Sequence, residues 1–124
     1  MKLADLVDPL NLEVKSARGG LDLEVTGGYA SDLLSDVIAN AREGDVWVTL
    51  QIHQNVVAVA CMKDLAGIIL VGGREPERDT VEKAEAESIP VMVSRLPAFE
   101  LVGRLYGLGV RGSREEDEAG ARGS

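Results

Sequence analysis

The sequence predicts an α/β fold: three layers, built from repeated β-α units around a mostly parallel central sheet. Two observations predict it. Apolar runs at residues 21–25, 46–50, 67–71 and 90–93 each lead through polar or glycine-rich residues into a helical pattern. Strands alternating with helices imply a parallel sheet covered on both faces. The second observation is compositional. Hydrophobic residues make up 45% of the chain but aromatics only 3%. The core is therefore Val, Ile, Leu and Ala, which suits a sheet buried on both faces.

The elements follow in order. Residues 2–7 read as a short helix stopped before Pro9. Leu12-Glu13-Val14 alternates and reads as a first short strand, and Arg18-Gly19-Gly20 as a turn. Leu21, Leu23 and Val25 alternate with Asp22 and Glu24, as in a strand with one wetter face near a sheet edge. Ser31 or Asp32 is expected to cap a helix that reaches about Ala41. The stretch 54–65 is ambiguous. Val56, Val57 and Val59 favour strand by propensity. A helix capped by Asn55 fits the crossover rules better, and being apolar nearly all round it should be largely buried. Residues 75–88 read as a surface helix with Pro76 in its first turn. Pro97 opens a last helix to about Leu108. Residues 1–110 are expected to form one domain, and 111–124, rich in Gly, Ser, Arg and acid, a flexible polar tail.

Charge and composition exclude several classes. With 21 acidic and 13 basic residues the net charge is -8, which disfavours a nucleic-acid partner. The single cysteine, Cys61, makes no internal disulfide. The start lacks a signal-peptide core, and no apolar run approaches the ~20 residues that span a bilayer. A cytoplasmic location without membrane contact is the expectation.

Ligands of parallel sheets bind at the carboxyl ends of the strands. On this reading those ends hold Thr26-Gly27-Gly28, Gln51-Ile52-His53-Gln54-Asn55, Gly72-Gly73-Arg74 and Ser94-Arg95. Gly72-Gly73 either forms a tight turn that needs positive φ or, with Arg74, offers an anion site at a helix start. It lacks the Lys-Ser/Thr pair of a P-loop. Thr26-Gly27-Gly28 is open between a ligand approach and a simple bend. His53, the sole histidine, has no Cys or His beside it to complete a metal site and no orienting carboxylate for general-base work. It reads as a hydrogen-bonded junction residue. Cys61 reads as a small core residue. Gly107-Leu108-Gly109-Val110-Arg111-Gly112 matches G-x-G-x-x-G literally, but follows a helix instead of a strand and so reads as a helix end.

These residues resemble the DRTGG domain family. The signature, Asp-Arg, two residues, then Thr-Gly-Gly, is similar to Asp22-Leu23-Glu24-Val25-Thr26-Gly27-Gly28, with Leu23 where the family has Arg. Tyr29-Ala30-Ser31-Asp32-Leu33-Leu34-Ser35-Asp36, Gly67-Ile68-Ile69-Leu70-Val71-Gly72-Gly73 and Pro97-Ala98-Phe99-Glu100-Leu101 extend the resemblance over residues 12–108. Such domains accompany phosphate acetyltransferases, sit between CBS modules in regulated pyrophosphatases, and resemble the amino-terminal domain of HPr kinase/phosphorylase. Stand-alone copies look like small proteins that accompany iron-only hydrogenase genes. The resemblance implies a homodimeric, non-catalytic regulatory module without cofactor or metal, sensing a small anionic metabolite or nucleotide. Two alternatives stay open: a structural adaptor for a hydrogenase or other redox complex, and a phosphotransfer component using His53 or a junction serine. The expected ligand set is Thr26, Gly27, Gly28, Gln54, Asn55, Gly72, Gly73, Arg74 and Arg95.

Overall fold

The five-stranded sheet has the order β1-β5-β4-β3-β2 in the computed structural model, which describes residues 1–112. The strands are β1 (Glu13–Val14), β2 (Gly27–Ala30), β3 (Asp45–Thr49), β4 (Gly67–Leu70) and β5 (Val91–Val93). The helices are α1 (Ala4–Val7), α2 (Leu34–Asn40), α3 (Asn55–Lys63), α4 (Arg78–Ala86) and α5 (Ala98–Gly107). Strands β2 to β5 are parallel, in register Gly28↔Val46, Val46↔Gly67 and Ile68↔Val91. Strand β1 closes the β5 edge antiparallel.

Alternation along the buried strands sends side chains to two cores. Trp47, Ile68, Leu70, Val91 and Val93 meet Val37 of α2, Val56, Val57 and Ala60 of α3, and Ala84 of α4 on one face. Val46, Val48, Ile69 and Met92 meet Leu3, Leu6, Leu10, Leu101 and Leu105 on the other. Helices α2, α3 and α4 therefore cover one face, while α1 and α5 cover the opposite face. The ambiguous stretch is a helix, α3, as expected; it buries Val56, Val57, Val59 and Ala60, but Ala58 and Met62 are exposed, so it is less buried than its composition implied.

Residues 21–25 are not a strand. Val25 N–H donates to Met1 O, Leu3 N–H to Leu23 O and Ala4 N–H to Leu21 O, so this segment pairs with the amino terminus instead of the sheet. Leu21 and Val25 pack on the core, and Leu23 is exposed. The strand is Gly27–Ala30, whose Gly-Gly start has weak propensity and is held by its ladder with β3. Two helix starts also differ. Residue Leu33 precedes α2 without a side-chain cap, while Ser31 Oγ accepts from Leu33 N–H (3.2 Å). Helix α4 starts at Arg78, leaving Pro76 outside it and Glu77 extended as its cap residue.

Candidate functional site: a cleft where the chain changes face

Strand β4 leads to α4 on one face of the sheet, and its neighbour β5 leads to α5 on the other. Loops that diverge to opposite faces open a crevice at the carboxyl ends of their strands, the place where sheets of this kind bind ligands. A cleft of about 470 Å³ lies there, lined by Asn11, Leu12, Glu13, Gly73, Glu75, Val93 and Arg95. Antiparallel β1 supplies one wall, because its amino end lies beside the carboxyl end of β5.

Lys15 is not itself a lining residue, but it ties together Glu13 and Glu75, which are. Its Nζ lies 2.6 Å from Glu13 Oε1 and 2.8 Å from Glu75 Oε1. The hydrogen bond and charge of Lys15 hold the Glu13 carboxyl below its ordinary pKa, and Arg95 and Arg18 add to the effect. Hydrogen bonds to Glu13 and Glu75 raise Lys15 in turn. On a chain with a net charge of -8, three cations thus gather around one carboxylate.

Of the expected ligand set, Gly73 and Arg95 line this cleft. Gly72 and Gly73 both sit at φ +68, so the tight-turn reading holds. Their N–H groups donate to Leu96 O (2.7 Å) and Ser94 O (2.8 Å). The turn spends these two donors lacing β4 to the β5 exit, so they do not form a glycine nest open to an anion. Arg74 is exposed on this turn but does not line the cleft. Gln54 and Asn55 stand at the start of α3 beyond β3, also outside it.

Thr26, Gly27 and Gly28 are at the wrong end of the sheet for such a site. Gly27 pairs with Asp45, the first residue of β3, which puts this motif at the amino end of β2. Thr26 Oγ1 donates to Glu43 O (3.1 Å), and Thr26 N–H to Gly44 O. Gly44 has φ +84, and a Cβ there would fall 2.2 Å from Thr26 Oγ1. The Thr-Gly pair is thus a packing lock on the α2–β3 turn. Gly44→Ala is expected to cost about 2–3 kcal/mol in urea unfolding. Thr26→Ala in the same chain should return part of that loss, because the blocking hydroxyl is gone.

The remaining polar junction groups serve the backbone. His53 Nδ1 accepts from Asn55 N–H (3.1 Å), while the cap residue of α3 is Gln54, not Asn55. Ser94 Oγ accepts from Leu96 N–H (3.1 Å). Asp32 Oδ1 accepts from Thr49 Oγ1 and Leu50 N–H, stitching the β2 exit to β3. Cys61 is half-buried at the core margin, and burial, with Glu87 beside it, raises its thiol pKa. Among the described residues no group of three His, Cys, Asp or Glu side chains could hold a metal. No described helix is long and apolar enough to cross a membrane.

Helix α5 ends at Gly107, as read from the sequence, with Gly109 at φ +106. The packed body runs past residue 110. Arg111 O accepts from Gly28 N–H (3.0 Å), and its guanidinium stacks 3.6 Å from the Tyr106 ring centroid. Residues 113–124 of the expected tail lie outside the described residues.

Sequence reasoning missed Asn11, Glu13, Lys15 and Glu75. The only available signal was the strand reading of Leu12-Glu13-Val14, which did not say that β1 would run antiparallel beside β5.

No family model and no curated protein matches the chain. Among solved structures it is similar to the CBS and DRTGG domains of the regulatory region of Clostridium perfringens pyrophosphatase, complexed with the activator diadenosine tetraphosphate. The TM-score is 0.65 at 16% identity, over 80% of this chain and 43% of that one. This chain therefore spans less than half of that neighbour, and at this identity the likeness shows the fold alone. The chain has a DRTGG-like α/β fold with a mostly parallel five-stranded sheet.

Proposed function

We propose that this chain is a non-catalytic regulatory module that binds a small anionic metabolite or nucleotide phosphate in the cleft between β1, β5 and the β4–α4 turn. The observation that carries this reading is the position of Arg95 and the Lys15 bridge at the crevice where the loops after β4 and β5 leave for opposite faces. The regulatory neighbour with a bound dinucleotide polyphosphate supports the ligand class. The test is a thermal-shift and calorimetry panel of inorganic tripolyphosphate, ATP and diadenosine tetraphosphate. Saturable binding by any of the three is the expected result, and silence across the panel overturns the reading.

The module is further proposed to be a homodimer, since two-fold pairing is the commonest oligomer. Light scattering coupled to size exclusion should give about twice 13.2 kDa, and a clean monomer at micromolar concentration contradicts it.

A second reading, an adaptor for a hydrogenase or other redox complex, draws on one surface. Phe99, Val102 and Tyr106 of α5 are 89%, 38% and 50% exposed at helical spacing, an apolar stripe beside the β2 edge. Silence across the ligand panel, together with co-purification of a redox protein, would favour it.

A further inference from the structure

We infer that Lys15 is a charge-exchange latch: an incoming phosphate group takes its ammonium from Glu75 and so unties the β4–α4 turn from the β1 wall. The inference rests on the ligand reading above and assigns that cleft a switching mechanism. Three observations carry it. Lys15 belongs to the segment after β1 and Glu75 to the turn after β4, so this ion pair links two cleft walls that are otherwise separate in sequence. The Lys15 side chain is 22% exposed, whereas Glu13 and Glu75 are 61% and 58% exposed. The cation is thus fixed by its surroundings, and its partners are free to swing into water. Without ligand, the carboxylates of Glu13 and Glu75 offset two of the three charges of Lys15, Arg95 and Arg18 and occupy the Lys15 ammonium.

Exposed ion pairs of this kind are weak, so displacing one is inexpensive. A phosphate oxygen replaces one carboxylate oxygen at Lys15 and adds a charge-assisted contact to Arg95. The released Glu75 lies on a turn already exposed from Gly72 to Glu75. Occupancy of the cleft thereby detaches Glu75 from the β1 wall, while the Gly72 and Gly73 N–H bonds keep the turn laced to Leu96 and Ser94.

Calorimetry with inorganic tripolyphosphate tests this on the full chain. Glu75→Gln removes the competitor and should tighten binding roughly tenfold. Glu82→Gln, on exposed α4, removes the same charge elsewhere and should leave affinity unchanged. Lys15→Met keeps the packed stem and should weaken binding roughly tenfold or more. In the Lys15→Met background the gain from Glu75→Gln should vanish, because it acts through the ammonium. Circular dichroism verifies that each variant is folded. Equal affinity of Glu75→Gln and the unaltered chain, or a gain that persists without Lys15, overturns the latch and leaves the ligand reading standing. Absence of binding in both the unaltered chain and Glu75→Gln overturns both. Binding by Glu75→Gln alone overturns the latch, because the ligand then fails to displace Glu75 in the unaltered chain.

Discussion

Trp47→Ala is expected to cost about 3–5 kcal/mol of stability, a large share of the roughly 5–15 kcal/mol that holds a domain of this kind together. Trp47 is fully buried in β3, among Val37, Val56 and Val57. Its Nε1–H donates to Ser31 O (2.8 Å), so the same side chain fills the helix-covered core and pins the exit of β2. The chain holds one Trp, one Phe and two Tyr, and Phe99 and Tyr106 face outward. Tyr29, the cross-strand neighbour of Trp47, is the one other aromatic packed against this core, and its hydroxyl is held by Asp36. Urea unfolding followed by far-ultraviolet circular dichroism is the measurement, since the substitution removes the only tryptophan. A loss below 1 kcal/mol would show that the core collapses around the gap. Phe99→Ala, at 89% exposure, should stay within about 0.5 kcal/mol and serves as the contrast.

Arg95→Ala is expected to lower tripolyphosphate affinity ten- to hundredfold while leaving stability unchanged. The guanidinium lines the cleft and is exposed, so its loss removes one charge-assisted contact, worth about 1.5–3 kcal/mol, without opening a core. Affinity in the unaltered chain should fall as salt rises, because exposed charges are screened over about 10 Å at 0.1 M ionic strength. Arg74→Ala should do far less, since Arg74 does not line the cleft. Equal losses in the two variants would mean that long-range charge, and not contact, sets the affinity.

The sequence was most readable where periodicity met burial. The apolar runs of β3, β4 and β5 and the helix over 55–63 are found as read, because fully buried strands and helices carry continuous apolar signals. It misled at residues 21–28. There the alternating Leu21, Leu23 and Val25 pair with the amino terminus, and the glycines form the strand. That inversion moved Thr26, Gly27 and Gly28 from the carboxyl to the amino end of the sheet, because pairing decided the strand where propensity was weak. Gly73 and Arg95 were legible as strand-end residues, and they line the cleft, because a turn after an apolar run marks a strand end. Lys15 and Glu75 were not, because their ion pair spans 60 residues and depends on the antiparallel course of β1.

The cleft at the change of face is the proposed ligand site. Backbone amide chemical shifts during a titration with inorganic tripolyphosphate test it directly. The largest changes are expected on residues 11–15, 72–75 and 93–96, with those at Thr26, Gly27 and Gly28 unmoved. Changes centred on Thr26-Gly27-Gly28 and the α2–β3 turn, or none at millimolar ligand, would contradict it.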